Sequence, residues 1–136
     1  MLRMIAQMGR VLAHVRRLLL EGKHSEAGEE LQRAAEKGGI DLRFIIALDE
    51  ASLRPLLVTA AEIDRPKCAF FAELVYLEWR RQLAMRNMDS ADRCARRALL
   101  LYALAYDGIV MDDETRQRVS ELEQHFEPGS LHSNRG

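Results

Sequence analysis

Polar and apolar residues recur along most of this chain with the period of an α-helix. In the first segment the polar positions fall three or four residues apart, at Arg3, Gln7, Arg10, His14, Arg17 and Glu21. The apolar residues between them lie towards the opposite side of a helix. The pattern therefore predicts a helix from Arg3 to Glu21, which Gly22 and Lys23 end.

A second amphipathic helix is predicted to begin near Ser25, a residue type that favours the N-cap position. It stops at Gly38-Gly39, where glycine permits the turn that ends a helix. The next segment, residues 40–49, is long enough for one or two helical turns. We expect Phe44, Ile45 and Leu48 to be buried there.

Capping residues and prolines predict four further helices. Ser52 is a suitable cap for a helix that reaches Glu62, because Pro55 then falls in the first turn, where its missing N–H is harmless. The remaining helices are predicted from Asp64 to Arg86, from Ser90 to Tyr106, and from Asp112 or Asp113 to Phe126. The Asp64–Arg86 helix is apolar on most sides and is expected to be central. No strand is predicted, so the fold class is all-α.

The sequence also repeats itself after 64 residues. At this shift Arg16-Arg17 align with Arg80-Arg81, Ala27 with Ala91, and Arg33-Ala34 with Arg97-Ala98. Each copy has a long amphipathic helix, a tight polar turn, and a helix with alanines seven positions apart. Because a spacing of seven places both alanines on one stripe, a partner helix can approach closely there.

This layout resembles the tetratricopeptide repeat. The matching residues are Gly22, Ala27 and Ala34 in the first copy and Ala91 and Ala98 in the second, within residues 8–41 and 72–105. Arg86 stands where the second turn would carry its glycine, and about thirty extra residues separate the copies. The resemblance implies a compact bundle or short solenoid of two helical hairpins, with connecting and C-terminal helices. The overall layout is also similar to small bacterial tetratricopeptide-like proteins that have no assigned activity.

The resemblance also implies a binding surface. In the tetratricopeptide family the positions of Arg16 and Arg80 face a peptide-binding groove, and Tyr76 holds a neighbouring position of this kind. We therefore predict Arg16, Tyr76 and Arg80 as partner-binding residues for an amphipathic segment that carries an acid. The simpler alternative is a solvated arginine face that pairs with local glutamates.

Length and charge exclude several other functions. The 136 residues correspond to one domain, expected at residues 1–127 and followed by a disordered tail at 128–136. The formal net charge of −1 gives no broad positive field for nucleic acid. A local patch remains as an alternative nucleic-acid site, formed by Arg80, Arg81, Arg93, Arg96 and Arg97.

The location is expected to be cytoplasmic. Arg3, Gln7 and Arg10 interrupt the apolar run of a signal peptide, and the longest apolar stretch, residues 98–106, is about half of a bilayer span. Two cysteines, Cys68 and Cys94, make no disulfide framework. Binding of the first helix to a membrane surface is disfavoured, because the apolar face it needs must pair with the second helix.

No motif predicts catalysis, a cofactor or a metal. The sequence lacks HExxH, CxxC, GxSxG and a glycine-rich phosphate loop, and its four histidines do not have ligand spacing. Both cysteines are expected to be inert packing residues. The leading hypothesis is a non-enzymatic helical module that binds a protein segment. The alternative is a structural homodimer that hides surplus apolar surface.

Overall fold

The computed structural model describes residues 2–127, and their side chains from Met8 onward. The predicted disordered tail, residues 128–136, lies outside the described residues. The chain is all-α. In chain order its helices are α1 (Leu2–Leu20), α2 (His24–Lys37), α3 (Leu42–Ala47), α4 (Glu50–Leu53), α5 (Arg65–Ala84), α6 (Met88–Ala105) and α7 (Asp113–His125). No helix in this range is long and apolar enough to cross a membrane.

Helix α5 is the central element. It contacts α1, α2, α3 and α6, and every residue from Phe70 to Trp79 is buried. The Asp64 carboxylate caps its first turn by accepting a hydrogen bond from the Lys67 backbone N–H at 3.1 Å. The central position and the cap at Asp64 confirm the sequence-based prediction.

The two predicted hairpins are α1–α2 and α5–α6, and their turns have the same hydrogen bonds. In the first, the N–H of Lys23 donates to Leu18 O at 2.9 Å and Gly22 has a φ of +75°. In the second, the N–H of Asn87 donates to Gln82 O at 3.0 Å and Arg86 has a φ of +62°. Each helix thus ends in a left-handed residue at equivalent positions of the repeat.

The small residues lie where two helices meet. Ala27, Ala34, Ala91 and Ala98 are all buried, with at most 4% of their surface exposed. This burial is consistent with the alanine stripes as helix-contact faces, as the repeat predicts.

Gly28 is a further small residue, and the sequence alone does not show why glycine occupies this position. A methyl group at this position would lie 2.8 Å from Cζ of Arg81. That guanidinium is held in place by two hydrogen bonds to the Glu78 carboxylate, at 2.8 and 2.9 Å. Glycine in the middle of α2 therefore makes room for a side chain of α5.

The segment between the hairpins differs from the prediction. The predicted helix from Ser52 to Glu62 is wrong: α4 ends at Leu53, and a 3-10 turn follows at Arg54–Leu57. A two-residue strand pair comes next, β1 (Val58–Thr59) and β2 (Glu62–Ile63), so the prediction of no strand is also wrong.

Local chemistry explains this difference. Pro55 has no N–H to continue the α-helical bonding, and the β-branched Val58 and Thr59 favour extended backbone. Ala60 and Ala61, with φ of +54° and +68°, then form the tight turn between the strands.

Three smaller expectations also need correction. Ser25 is not the N-cap of α2; that position belongs to Lys23, whose side chain makes no capping bond. The helix predicted to begin at Ser90 begins two residues earlier, at Met88. Phe44 was expected in the core but is 57% exposed, whereas Ile45 on the same short helix is fully buried.

The left-handed conformation of Arg86 provides a test of the repeat. Arg86→Gly is expected to raise the free energy of unfolding by about 0.5–1 kcal/mol, because glycine has no Cβ to clash in this conformation. The reciprocal Gly22→Arg is expected to lower it by about 1 kcal/mol. Both positions are exposed, so the change reports the backbone alone. Urea denaturation of the two variants measures it, and equal signs would contradict the equivalence of the turns.

The contact between Gly28 and Arg81 predicts a reversal of sign. In the natural chain, Gly28→Ala is expected to lower the free energy of unfolding by about 1 kcal/mol, since Arg81 must leave its place. In an Arg81→Ala background the same substitution is expected to raise it by about 0.8–1 kcal/mol, the usual gain in helix propensity. A double-mutant cycle in urea checks this. Additive effects would show that the guanidinium is not the reason for the glycine.

Candidate partner-binding site

The three predicted partner-binding residues lie in one cleft, although Arg16 and Arg80 are far apart in sequence. The cleft has a volume of about 220 Å³ and lies between α1, α5 and α7. Its lining residues are Arg16, Tyr76, Arg80, Glu114, Gln117, Arg118 and Glu121. The first three were predicted, whereas the contribution of α7 was not.

Arg16 and Arg80 both have exposed side chains at this cleft. Among the residues whose side chains are described, neither makes a salt bridge, so no carboxylate there lies within 4.0 Å of them. Arg80 Nη1 donates to the Tyr76 hydroxyl at 3.4 Å, and its Cζ lies 6.0 Å from the centre of the Tyr76 ring. Tyr76 therefore steadies one of the two free guanidinium groups.

Tyr76 itself is a core residue with a polar end. Only 2% of it is exposed, and its hydroxyl donates to Glu121 Oε1 at 3.0 Å. Burial raises the pKa of Tyr76, so the phenol remains a hydrogen-bond donor at neutral pH. The hydroxyl that a partner acid would need is already bonded to an acid of α7.

A buried polar cluster joins α7 to α5 close to this cleft. Arg118 Nη2 on α7 forms a salt bridge with Glu73 Oε1 on α5 at 2.8 Å, and both side chains are largely buried. Among the residues whose side chains are described, the buried Tyr102 hydroxyl has no hydrogen-bond partner, and neither do Glu73 Oε2 and Arg118 Nε.

Burial and charge act on the pKa values of both members of this pair. Burial raises the pKa of Glu73 in spite of the opposing charge of Arg118. Burial also acts to lower the pKa of Arg118, yet the charge of Glu73 raises that pKa overall. Loss of hydration therefore dominates at Glu73, whereas the attraction between the two groups dominates at Arg118.

A second polar contact fixes the end of α7. His125 is 4% exposed, and its Nε2 meets Asp92 Oδ1 at 2.6 Å while its Nδ1 accepts from Trp79 Nε1 at 3.4 Å. An acid–histidine pair can activate a nucleophile only through a free ring nitrogen. Both nitrogens are engaged here, so this pair holds helices together.

These contacts were missed because their partners are distant in sequence. One signal was available: a carboxylate on a helix buried on all sides, such as Glu73 or Glu78 on α5, must be paired. That signal predicts that a partner exists. It does not identify Arg118, which lies on another helix.

The arginine patch considered for nucleic acid is divided between two places. Arg93, Arg96 and Arg97 line a cleft of about 320 Å³ on α6, whereas Arg80 and Arg81 lie on α5. Arg97 donates to the backbone carbonyls of Ile45 and Leu48, and Arg81 is paired with Glu78. Arg96 lies over the Phe126 ring, with its Cζ 5.2 Å from the ring centre. Arg80 faces the cleft on α5 instead, so the five arginines do not form one surface.

Nucleophile and metal chemistry find little support in the described residues. Burial raises the pKa of Cys68 to about 11 and that of Cys94 to about 12, so both thiols are protonated at neutral pH. Within residues 8–127 no group of three or more His, Cys, Asp or Glu side chains is arranged to hold a metal ion. Of the four histidines, His132 lies outside the described range.

The chain matches no family model, no curated protein and no solved structure. The tetratricopeptide-like interpretation therefore stays a prediction based on the repeated residues.

The Glu73–Arg118 pair leads to a stability prediction. Glu73→Leu alone leaves Arg118 largely buried without its counter-ion, and we expect the free energy of unfolding to fall by about 3 kcal/mol. Adding Arg118→Met is expected to recover most of this loss, because the pair then becomes an apolar contact of similar volume. Urea denaturation of both variants measures the difference. A double variant as unstable as the single one would mean that the ion pair itself holds α7.

Proposed function

We propose that this protein is a non-enzymatic interaction module that binds a protein segment at the cleft of Arg16, Tyr76 and Arg80. One observation carries this proposal: two exposed guanidinium groups from separate copies of the repeat border the same cleft and have no carboxylate partner among the described residues. An arginine that only stabilises a helix usually pairs with a nearby acid, as Arg33 does with Glu30 at 2.9 Å.

The chemistry of the cleft favours an acidic side chain as the anchor. A guanidinium binds a carboxylate through two parallel N–H donors, and two such groups specify the position of one acid. The cleft volume of about 220 Å³ lies below the range of about 300–1,000 Å³ that is usual for small-molecule sites. One anchoring side chain of a longer segment suits this space better than a cofactor does.

Self-assembly is the second candidate function. Four large apolar side chains among the described residues are more than half exposed: Leu20 at 86%, Val110 at 86%, Phe44 at 57% and Ile109 at 51%. A homodimer that covered them would remove apolar surface from water.

We also propose a cytoplasmic setting, since Cys68 and Cys94 are free and buried.

Charge reversal at the cleft tests the proposal. Arg16→Glu and Arg80→Glu are each expected to reduce capture of the partner at least about tenfold, because the partner acid then meets a like charge. Arg17→Glu is the matched control: it makes the same charge change on the adjacent residue of α1, which contacts His14 and does not line the cleft. Capture is measured by crosslinking the tagged chain in its host and quantifying the enriched proteins.

The comparison separates the two candidate functions. A protein enriched with the natural chain and with Arg17→Glu, but lost with both cleft variants, would support the interaction module. Equal recovery with all variants would contradict the cleft as the site. Recovery of the chain alone, as a dimer at all concentrations, would favour self-assembly.

A further inference from the structure

Helix α7 packs mainly along α6, reaches α5 through side chains, and is much less buried than α5. Three of its thirteen residues are buried, Thr115, Leu122 and His125, whereas twelve of the twenty residues of α5 are buried. Leu122 is the one fully apolar residue among the three. A helix with so few buried apolar contacts belongs to the part of a protein that opens at low free energy.

Polar contacts hold α7 in place at regular intervals. Arg118 bonds Glu73 at 2.8 Å, Glu121 bonds Tyr76 at 3.0 Å, and His125 bonds Asp92 at 2.6 Å. With Leu122 these residues occupy positions i, i+3, i+4 and i+7, which form one face of a helix. The face has a defined chemistry: a base, an acid beside an apolar residue, and a histidine.

One of these contacts involves a predicted partner-binding residue. The carboxylate of Glu121 accepts the hydrogen bond of the Tyr76 hydroxyl, and Arg80 donates to that same hydroxyl. An acid from this chain therefore occupies the place that the acid of a bound segment would take. Helix α7 has the properties of the ligand that the cleft is expected to bind.

We propose that the surface beneath α7, formed by Glu73, Tyr76 and Trp79 of α5 and Asp92 of α6, is a docking surface for an amphipathic helix of a partner protein. The partner helix carries the same face as α7, and α7 holds the surface in its absence. This inference rests on the proposed function, since it takes the interaction at Tyr76 and Arg80 as its starting point. It adds the form of the partner and the competition with α7.

The chain contains its own reporter for this exchange. Trp79 is the only tryptophan, and 5% of it is exposed. Its ring centre lies 5.7 Å from that of His125. Because α7 covers this ring, its fluorescence and its quenching by acrylamide report whether α7 is docked.

The experiment uses the full chain with Leu122→Asp, which places a charge at the buried apolar contact of α7. Its matched control is Gln124→Asp, the same charge at an exposed position of the same helix. We expect Leu122→Asp to keep most of its far-UV helical signal while quenching of Trp79 by acrylamide rises roughly threefold. Gln124→Asp is expected to leave the quenching unchanged.

A peptide then tests the surface directly. The probe is a fluorescein-labelled peptide of residues 112–127. It is expected to bind Leu122→Asp at least about tenfold more tightly than the natural chain, where α7 competes at an effective concentration of about millimolar. The same peptide with Glu121→Lys is expected to lose this affinity, since its charge then opposes Arg80. Equal binding of the peptide to both chains would overturn the proposal.

Hydrogen exchange of the natural chain tests whether α7 opens separately from α5 and α6, even if Leu122→Asp does not fold. Opening of α7 at a lower free energy than α5 and α6 would support the proposal, and exchange of all three at one common free energy would overturn it. The proposed function fails in a different way. If the peptide binds as expected but Arg16→Glu and Arg80→Glu do not reduce partner capture, the docking surface stands and the arginine cleft does not.

Discussion

The burial of polar side chains on α5 determines much of the remaining structure. Glu73, Glu78 and Gln82 are each at most 9% exposed, on a helix that is buried on nearly all sides. A buried charge or amide must be paired, because it has lost its hydration. Glu73 forms a salt bridge with Arg118 of α7, and Glu78 forms one with Arg81. The Gln82 side chain accepts a hydrogen bond from the Asn87 side chain at 3.1 Å. In turn, the inward position of Arg81 requires glycine at residue 28 of α2.

The same requirement separates the arginines by role. Arg81, Arg97 and Arg118 are bound to carboxylates or backbone carbonyls inside the protein. Arg16 and Arg80 bind no carboxylate and no backbone carbonyl among the described residues. A composition rich in arginine therefore does not indicate a nucleic-acid surface here. Arg93 also lacks a carboxylate partner among the described residues, so Arg16 and Arg80 are distinguished because both border one cleft.

The sequence predicted helices wherever periodicity was sustained over several turns. The hairpins α1–α2 and α5–α6 and the cap at Asp64 follow from local patterns, so local reasoning located them. The segment around Pro55 was mispredicted because a proline tolerated in a first turn also permits a 3-10 turn. Two alanines then adopt a left-handed conformation that their residue type does not suggest. The resemblance to the tetratricopeptide repeat predicted one surface for Arg16, Tyr76 and Arg80. The contribution of α7 to the cleft depends on long-range polar pairs, which local sequence patterns do not show.

Arg33 and Arg97 align in the 64-residue shift but have different partners. Arg33 lies on the surface of α2 and pairs with glutamates of its own helix. Arg97 instead donates to Ile45 O and Leu48 O, which belong to the segment inserted between the hairpins. A tandem duplication of the second hairpin alone would separate this guanidinium from its acceptors. The first hairpin also depends on residues outside itself, because Gly28 lies beside the Arg81 guanidinium and His24 O accepts a hydrogen bond from Arg81 at 3.3 Å. Neither hairpin is therefore self-contained, and either one copied alone would lose contacts that the rest of the domain supplies.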